Sequence, residues 1–185
     1  MNTSANTFER ITTAMWRSAV VYVVAGVLAI ALQSCSTVRN FSEGVHDPMT
    51  PEQSKAQVVD AARDIATTLA LKGVSANFTR DSCNDQAVAP FRGRVELKYD
   101  HAPTLEASQA EIQQMITVLK QHGWGAGGDF HSHSPSLSKR GVTAVFDPYS
   151  PVQNSGGSIS IYGECKDMTT KQNTLPESIP PDQLA

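Results

Sequence analysis

Three cysteines and one alternating Asp/His run are the parts of this 185-residue chain best suited to distinctive chemistry. Cys35 stands directly after a long apolar stretch, whereas Cys83 and Cys165 lie in the polar body of the chain. An odd count gives one thiol a role other than pairing. Asp129, His131 and His133 alternate in Gly128-Asp-Phe-His-Ser-His. On an extended strand they share a face, where two imidazoles and a carboxylate suit Zn²⁺ or Cu²⁺. The same alternation describes a polar solvent face opposite Trp124 and Phe130, and the sequence favours that plainer reading. Nothing fixes a fourth ligand, although His101 and His122 are spare donors.

Other motifs are weaker. Gly123-x-Gly125-x-x-Gly128 has the letters of a dinucleotide fingerprint, but it follows a helical pattern and opens a strand, the reverse of the required context. No Gly-x-Ser-x-Gly elbow occurs, and no Ser/His/Asp set is picked out by spacing. Arg92, Arg94 and Lys98 make a small basic strip interrupted by Glu96. A solvated face explains it better than a phosphate track. The sequence therefore predicts no enzyme, no cofactor and no nucleic-acid partner.

The apolar stretch, residues 19–32, holds fourteen uncharged positions preceded by Arg10 and Arg17. A membrane-spanning helix needs about 20. Fourteen, with basic residues before them, fit the apolar region of a secretory signal. Leu32-Gln33-Ser34-Cys35 resembles a bacterial lipoprotein signal, with Gln33 where a small residue is usual. That resemblance implies cleavage before Cys35, a diacylglycerol on its thiol and further acylation, such as palmitate, of the new N-terminus. Two or three acyl chains anchor stably where one holds marginally. Loss of residues 1–34 leaves 13 basic and 17 acidic side chains, a net charge of −4. The lipid, not general electrostatics, must then hold the protein to an anionic leaflet.

The rest divides by composition. Residues 35–49 carry no period and read as a lipidated tether, spanning roughly 20 Å. Residues 50–166 carry the folding pattern, and residues 167–185, with Pro176, Pro180 and Pro181 among polar neighbours, read as a disordered tail. Thr50-Pro51-x-Gln53 is a capping box with proline at the first helical position. Val58, Ala62, Ile65, Ala66 and Leu69 then follow at helical spacing up to the stop at Gly73. This alanine-rich stripe should lie close to whatever it covers. A short strand through Val74, Ala76 and Phe78 ends near Cys83. From Phe91 to Tyr99 the alternation is strict, which predicts a sheet with one wet face and hence antiparallel pairing. A second helix runs from Thr104 to about Gln121. Strands follow at Trp124–His133, Gly141–Phe146 and Ser158–Cys165, the last two as a hairpin. The expected fold is α+β: a two-layer sandwich of two helices on one face of a mostly antiparallel sheet of about five strands. In an exported protein, Cys83 and Cys165 should pair as a disulfide. A redox pair would ordinarily use closer spacing.

These pieces resemble the small envelope lipoproteins of mycobacteria and related actinobacteria, in particular the LppA-like group. The residues that carry the resemblance are the lipidation segment, the helix after a polar tether, the cysteine after the first strand, and Gly156-Gly-Ser-Ile-Ser-Ile-Tyr-Gly-Glu-Cys165. In that group a Gly-x-Cys strand and an earlier cysteine recur, and the group supplies no catalytic residues. The resemblance implies a lipoprotein on the extracytoplasmic face of the cell membrane. The expectation is a non-enzymatic interaction or accessory module that meets another envelope protein. The alternative is a carrier or sensor for an apolar ligand or a metal ion.

Overall fold

Helix α1 (Pro51–Thr68) begins where the sequence places it. The Thr50 hydroxyl accepts from the Gln53 amide at 3.2 Å, and the Gln53 side chain accepts from the Thr50 amide at 2.8 Å. Two otherwise unpaired donors are thus satisfied reciprocally. The computed structural model describes residues 44–126, 132–152 and 154–185, with the folded unit spanning Asp47–Ala185. Helix α2 (Leu105–Gln121) is capped by Thr104, whose hydroxyl accepts from the Ala107 amide. Its stripe of Ile112, Met115 and Leu119 joins Val58, Ala62 and Ile65 of α1 in one core. No helix among the described residues is long and apolar enough to cross a membrane.

Among the described residues the sheet has seven strands: β1 (Ser75–Ser82), β2 (Phe91–Lys98), β3 (Gly125–Ala126), β4 (Ser136–Lys139), β5 (Val142–Asp147), β6 (Ser158–Tyr162) and β7 (Glu177–Ile179). Their order is β3-β4-β5-β6-β2-β1-β7, and neighbouring strands pair antiparallel. Register puts alternate residues into two buried cross-strand rows. One runs Leu137, Ala144, Ile161, Val95, Phe78; the next runs Phe146, Ile159, Leu97, Ala76, Ile179. The opposite face carries Thr143, Tyr162, Arg94 and Thr79 in one row. There Arg92 and Arg94 lie over the Tyr162 ring at 4.8 and 5.3 Å. The basic strip seen in the sequence is therefore spent partly on stacking within the sheet.

The close approach expected of the alanine-rich helix rests on two glycines beneath it. A Cβ on Gly93 would sit 2.6 Å from the Ser54 carbonyl oxygen, and one on Gly163 would sit 2.7 Å from Gln57 Oε1. The buried Ser54 hydroxyl uses this proximity, accepting from the Gly93 amide at 2.8 Å. Helix and sheet are thus joined by a polar bond inside the interface.

The α+β class and antiparallel pairing are as the sequence predicts, but three expectations give way. The sheet has seven strands among the described residues, not about five. The expected strand Trp124–His133 is strand only at Gly125–Ala126 among its described residues, and β4 follows it. β4 escaped notice because Ser136–Lys139 is short and holds one apolar residue, Leu137. The supposed tail is an ordered strap: β7 pairs with β1, Pro181–Gln183 forms a short 3₁₀ turn, and Ile179 and Leu184 are buried. Prolines and polar side chains suggested disorder, but the strap is held by backbone pairing with β1 and by bonds that its polar side chains and carbonyls make to the body of the domain. The Arg80 amide donates to Thr174 Oγ1 at 2.8 Å, the Ser82 amide to Asn173 Oδ1 at 2.8 Å, and Arg63 Nε to the Gln183 carbonyl at 2.8 Å.

Candidate functional site

Cys35 lies outside the described residues, as do Asp129 and His131. His133 is described; it is exposed at the rim of an open groove of about 400 Å³, lined also by Gln109, Ile112, Pro135 and Pro148. Among the described residues no three His, Cys, Asp or Glu side chains stand close enough to hold a metal ion. Cys83 and Cys165 are joined in a disulfide with Cα atoms 6.0 Å apart. β1 and β6 are not neighbours in the sheet, since β2 lies between them, and the bridge joins the chain just beyond their ends.

Just beyond the bridge, Asp167 roots the strap. Its backbone exchanges hydrogen bonds with Phe91 at 2.7 and 3.0 Å, and the Met49 amide donates to the preceding carbonyl of Lys166 at 2.8 Å. Its buried carboxylate accepts from the amides and hydroxyls of Thr169 and Thr170. Burial alone would raise the Asp167 carboxyl, but these hydrogen bonds outweigh it and hold the group below the usual carboxylate range.

A polar cleft lies between α1 and the β4–β5 hairpin. Gln57, Asp60, Ala61 and Asp64 fall on one stripe of α1, since residues three and four apart share a helix face. Lys139, Arg140 and Val142 face them from the hairpin, with Trp124 between, around a volume of about 350 Å³. Asp64 Oδ2 accepts from Trp124 Nε1 at 3.0 Å and from Lys139 Nζ at 2.7 Å. Lys139 Nζ also stands 5.7 Å from the Trp124 ring centroid. Burial would raise the Asp64 carboxyl, yet the two hydrogen bonds and the charges of Lys139 and Arg140 carry it below its ordinary value. A carboxylate held in this way is a poor proton donor and a strong fixed acceptor.

The cleft's outer end is fixed as well. Gln57 and Glu164 bond reciprocally, Nε2 to Oε2 at 2.9 Å and the Glu164 amide to Oε1 at 3.1 Å. Glu164 also meets Lys166 at 2.8 Å. The Glu164 carboxylate lies where a Cβ on Gly141 would come within 2.6 Å. Sequence patterning did not single out Asp64, Lys139 or Arg140. The signal that could have found them is Arg140-Gly141, a two-residue connection between β4 and β5.

The profile of a family described as "Putative lipoprotein LppJ" matches residues 50–180. The chain belongs to the LppJ family. Relatives of that name include one from Mycobacterium tuberculosis (strain H37Rv), 30% identical over 164 residues, which are 84% of this chain and 82% of the relative. Another, from Mycobacterium bovis, is 33% identical over 128 residues, 66% of this chain and 64% of the relative. No solved structure matches the chain. The resemblance to mycobacterial lipoproteins seen in the sequence thus holds, with LppJ as the family within that class. The LppJ match starts at the α1 cap, Thr50, and ends at Pro180, one residue past β7. It therefore takes in both walls of the cleft and most of the strap.

Proposed function

We propose that this LppJ-family chain is anchored through an acylated Cys35 to the outer face of the cytoplasmic membrane, and that its folded unit is a non-enzymatic accessory module. The module recognises a polar partner in the envelope through the cleft between α1 and the β4–β5 hairpin. The Asp64–Lys139–Trp124 cluster carries this reading. It ties the two walls together, so the cleft is formed before any partner arrives, which lowers the ordering cost of binding. Its acid is held below the ordinary carboxylate range, and Glu164 is committed to Gln57 and Lys166. Such groups suit recognition better than proton transfer.

Fractionation of cells making wild-type protein or Cys35→Ala, with an alkyne fatty-acid label, tests the anchor. Wild type should take up label and sediment with membranes, and Cys35→Ala should lose both properties. Label and membrane retention in processed Cys35→Ala would overturn it. A second reading, a carrier for an apolar ligand or metal, draws on the groove with His133 at its rim and Ile112 and Pro148 in its walls. Zn²⁺ titration of wild type against His131→Ala/His133→Ala tests it, and equal heats in the two would remove the metal.

A further inference from the structure

The backbone at Arg140 is unusual. It connects β4 to β5 with Gly141, and both residues have positive φ, 51° and 78°. Hairpin turns of this kind favour Asn-Gly or Asp-Gly, because a side chain as large as arginine is strained in the left-handed region. The turn nevertheless presents an arginine, and its guanidinium has no hydrogen bond or ion pair among the described residues. The flanking residues are tied down: Lys139 by Asp64 and Ser138 Oγ by the Ala126 carbonyl at 2.7 Å. A strained backbone thus holds at the mouth of the cleft a cationic fork whose charge already acts on Asp64 but whose N–H donors are open to a ligand.

The facing wall is acidic. Asp64 uses Oδ2 for both of its donors, leaving Oδ1 to accept another. Asp60 is exposed, with Arg63 on its Oδ1 at 2.8 Å. A ligand carrying only negative charge would gain from Arg140 but meet Asp60 and Asp64. A purely cationic ligand would meet Arg140 and Lys139 in turn. A carboxylate for the guanidinium, which such groups bind bidentately, and an ammonium for the carboxylates satisfy both walls. The partly apolar floor is Ala61 and Val142, and about 350 Å³ is at the small end of ligand sites.

We infer that the cleft binds a small amphoteric ligand, a short peptide or free amino acid, with its carboxylate on Arg140 and its ammonium on Asp64 and Asp60. This deepens the reading of the cleft as the recognising surface and does not depend on the anchor, which the Cys35→Ala fractionation reads separately.

Calorimetric titration of the full chain in detergent with glycyl-leucine and with leucine tests it. At least one should bind at millimolar concentration or below. Binding of leucine as tight as that of the dipeptide assigns a free amino acid, and binding of glycyl-leucine alone assigns a peptide. Arg140→Asn should weaken binding at least tenfold while its melting temperature is equal or higher, because asparagine suits the left-handed turn. Folding failure is thereby separated from ligand loss. No heat from either ligand, unchanged affinity in Arg140→Asn, or equal affinity for inorganic phosphate or for the N-acetyl or C-terminal amide form of the dipeptide would overturn the assignment.

Discussion

Asp64 on α1 and Lys139 on β4, 75 positions apart in sequence, meet at 2.7 Å, and the Asp64 oxygen that joins them also accepts the indole N–H of buried Trp124. One carboxylate atom therefore connects helix, hairpin and the segment after α2. The two donors differ in consequence. Lys139 is a partly exposed cation that water can solvate, whereas the Trp124 N–H loses its hydrogen-bond partner if Asp64 is removed.

Asp64→Ala should accordingly destabilise by about 1–3 kcal/mol, the cost of an unsatisfied buried donor. Lys139→Met should cost about 0–1 kcal/mol, as a partly exposed ion pair does. Urea denaturation of both variants checks the order. Equal losses would mean that the ion pair, not the indole bond, is what matters.

The strap gives a larger expected effect. Burying an Ile or Leu side chain contributes roughly 1.5–3 kcal/mol relative to leaving it exposed, and truncation after Asn173 removes both Ile179 and Leu184. The truncated protein should lose about 3–6 kcal/mol by the same area scale. It should also self-associate at the bared β1 edge, since an unpaired strand is a template for another chain. Denaturation with light scattering tests this, and wild-type stability would mean that residues 174–185 are not part of the core.

How much of this was legible in the sequence follows from what each element relies on. α1 declared itself through Thr50, Pro51 and Gln53 because capping is local chemistry. β2 did so because one wet and one dry face force alternation. The class of fold followed from those two signals together. β7 had no such mark, since Glu177 and Ser178 are exposed and only Ile179 faces the core. The cleft was hidden for a related reason: Asp64, Trp124 and Lys139 are ordinary residues until the fold sets them side by side. Sequence spacing reports what is periodic along the chain, and this cluster is brought together only by the order β3-β4-β5 and the passage of α1 across it.

Asp167 makes a pH-dependent prediction. Its carboxyl is held below the ordinary carboxylate value in the folded state, so the folded protein binds fewer protons than the unfolded one in the acid range. The stabilisation is fully present above the unfolded value, near pH 4, and is lost as pH falls through the folded value. Asp167→Asn keeps one acceptor oxygen but sets an NH₂ against the donors of Thr169 and Thr170. It should cost about 1–3 kcal/mol at pH 7 and flatten the stability curve below pH 4. Denaturation midpoints from pH 2.5 to pH 7 test this, and parallel curves for the two proteins would refute it.

The disulfide and the strap should fail together. Cys83 and Cys165 are 82 positions apart, so the bridge closes a long loop. Removing it should cost about 2–5 kcal/mol, with ~4–5 kcal/mol the ceiling of the chain-entropy account. The bridge also fixes the chain two residues before Asp167, so its loss should loosen the strap root before the central strands. In Cys83→Ser/Cys165→Ser, amide exchange should rise first at Asp167, Thr174 and Ile179, ahead of Val95 in β2 and Ile161 in β6. Fragment-resolved hydrogen exchange measures that sequence. If all of these amides gained exchange by the same factor, the bridge would be acting only on global unfolding, and the strap would owe its order to β1 alone.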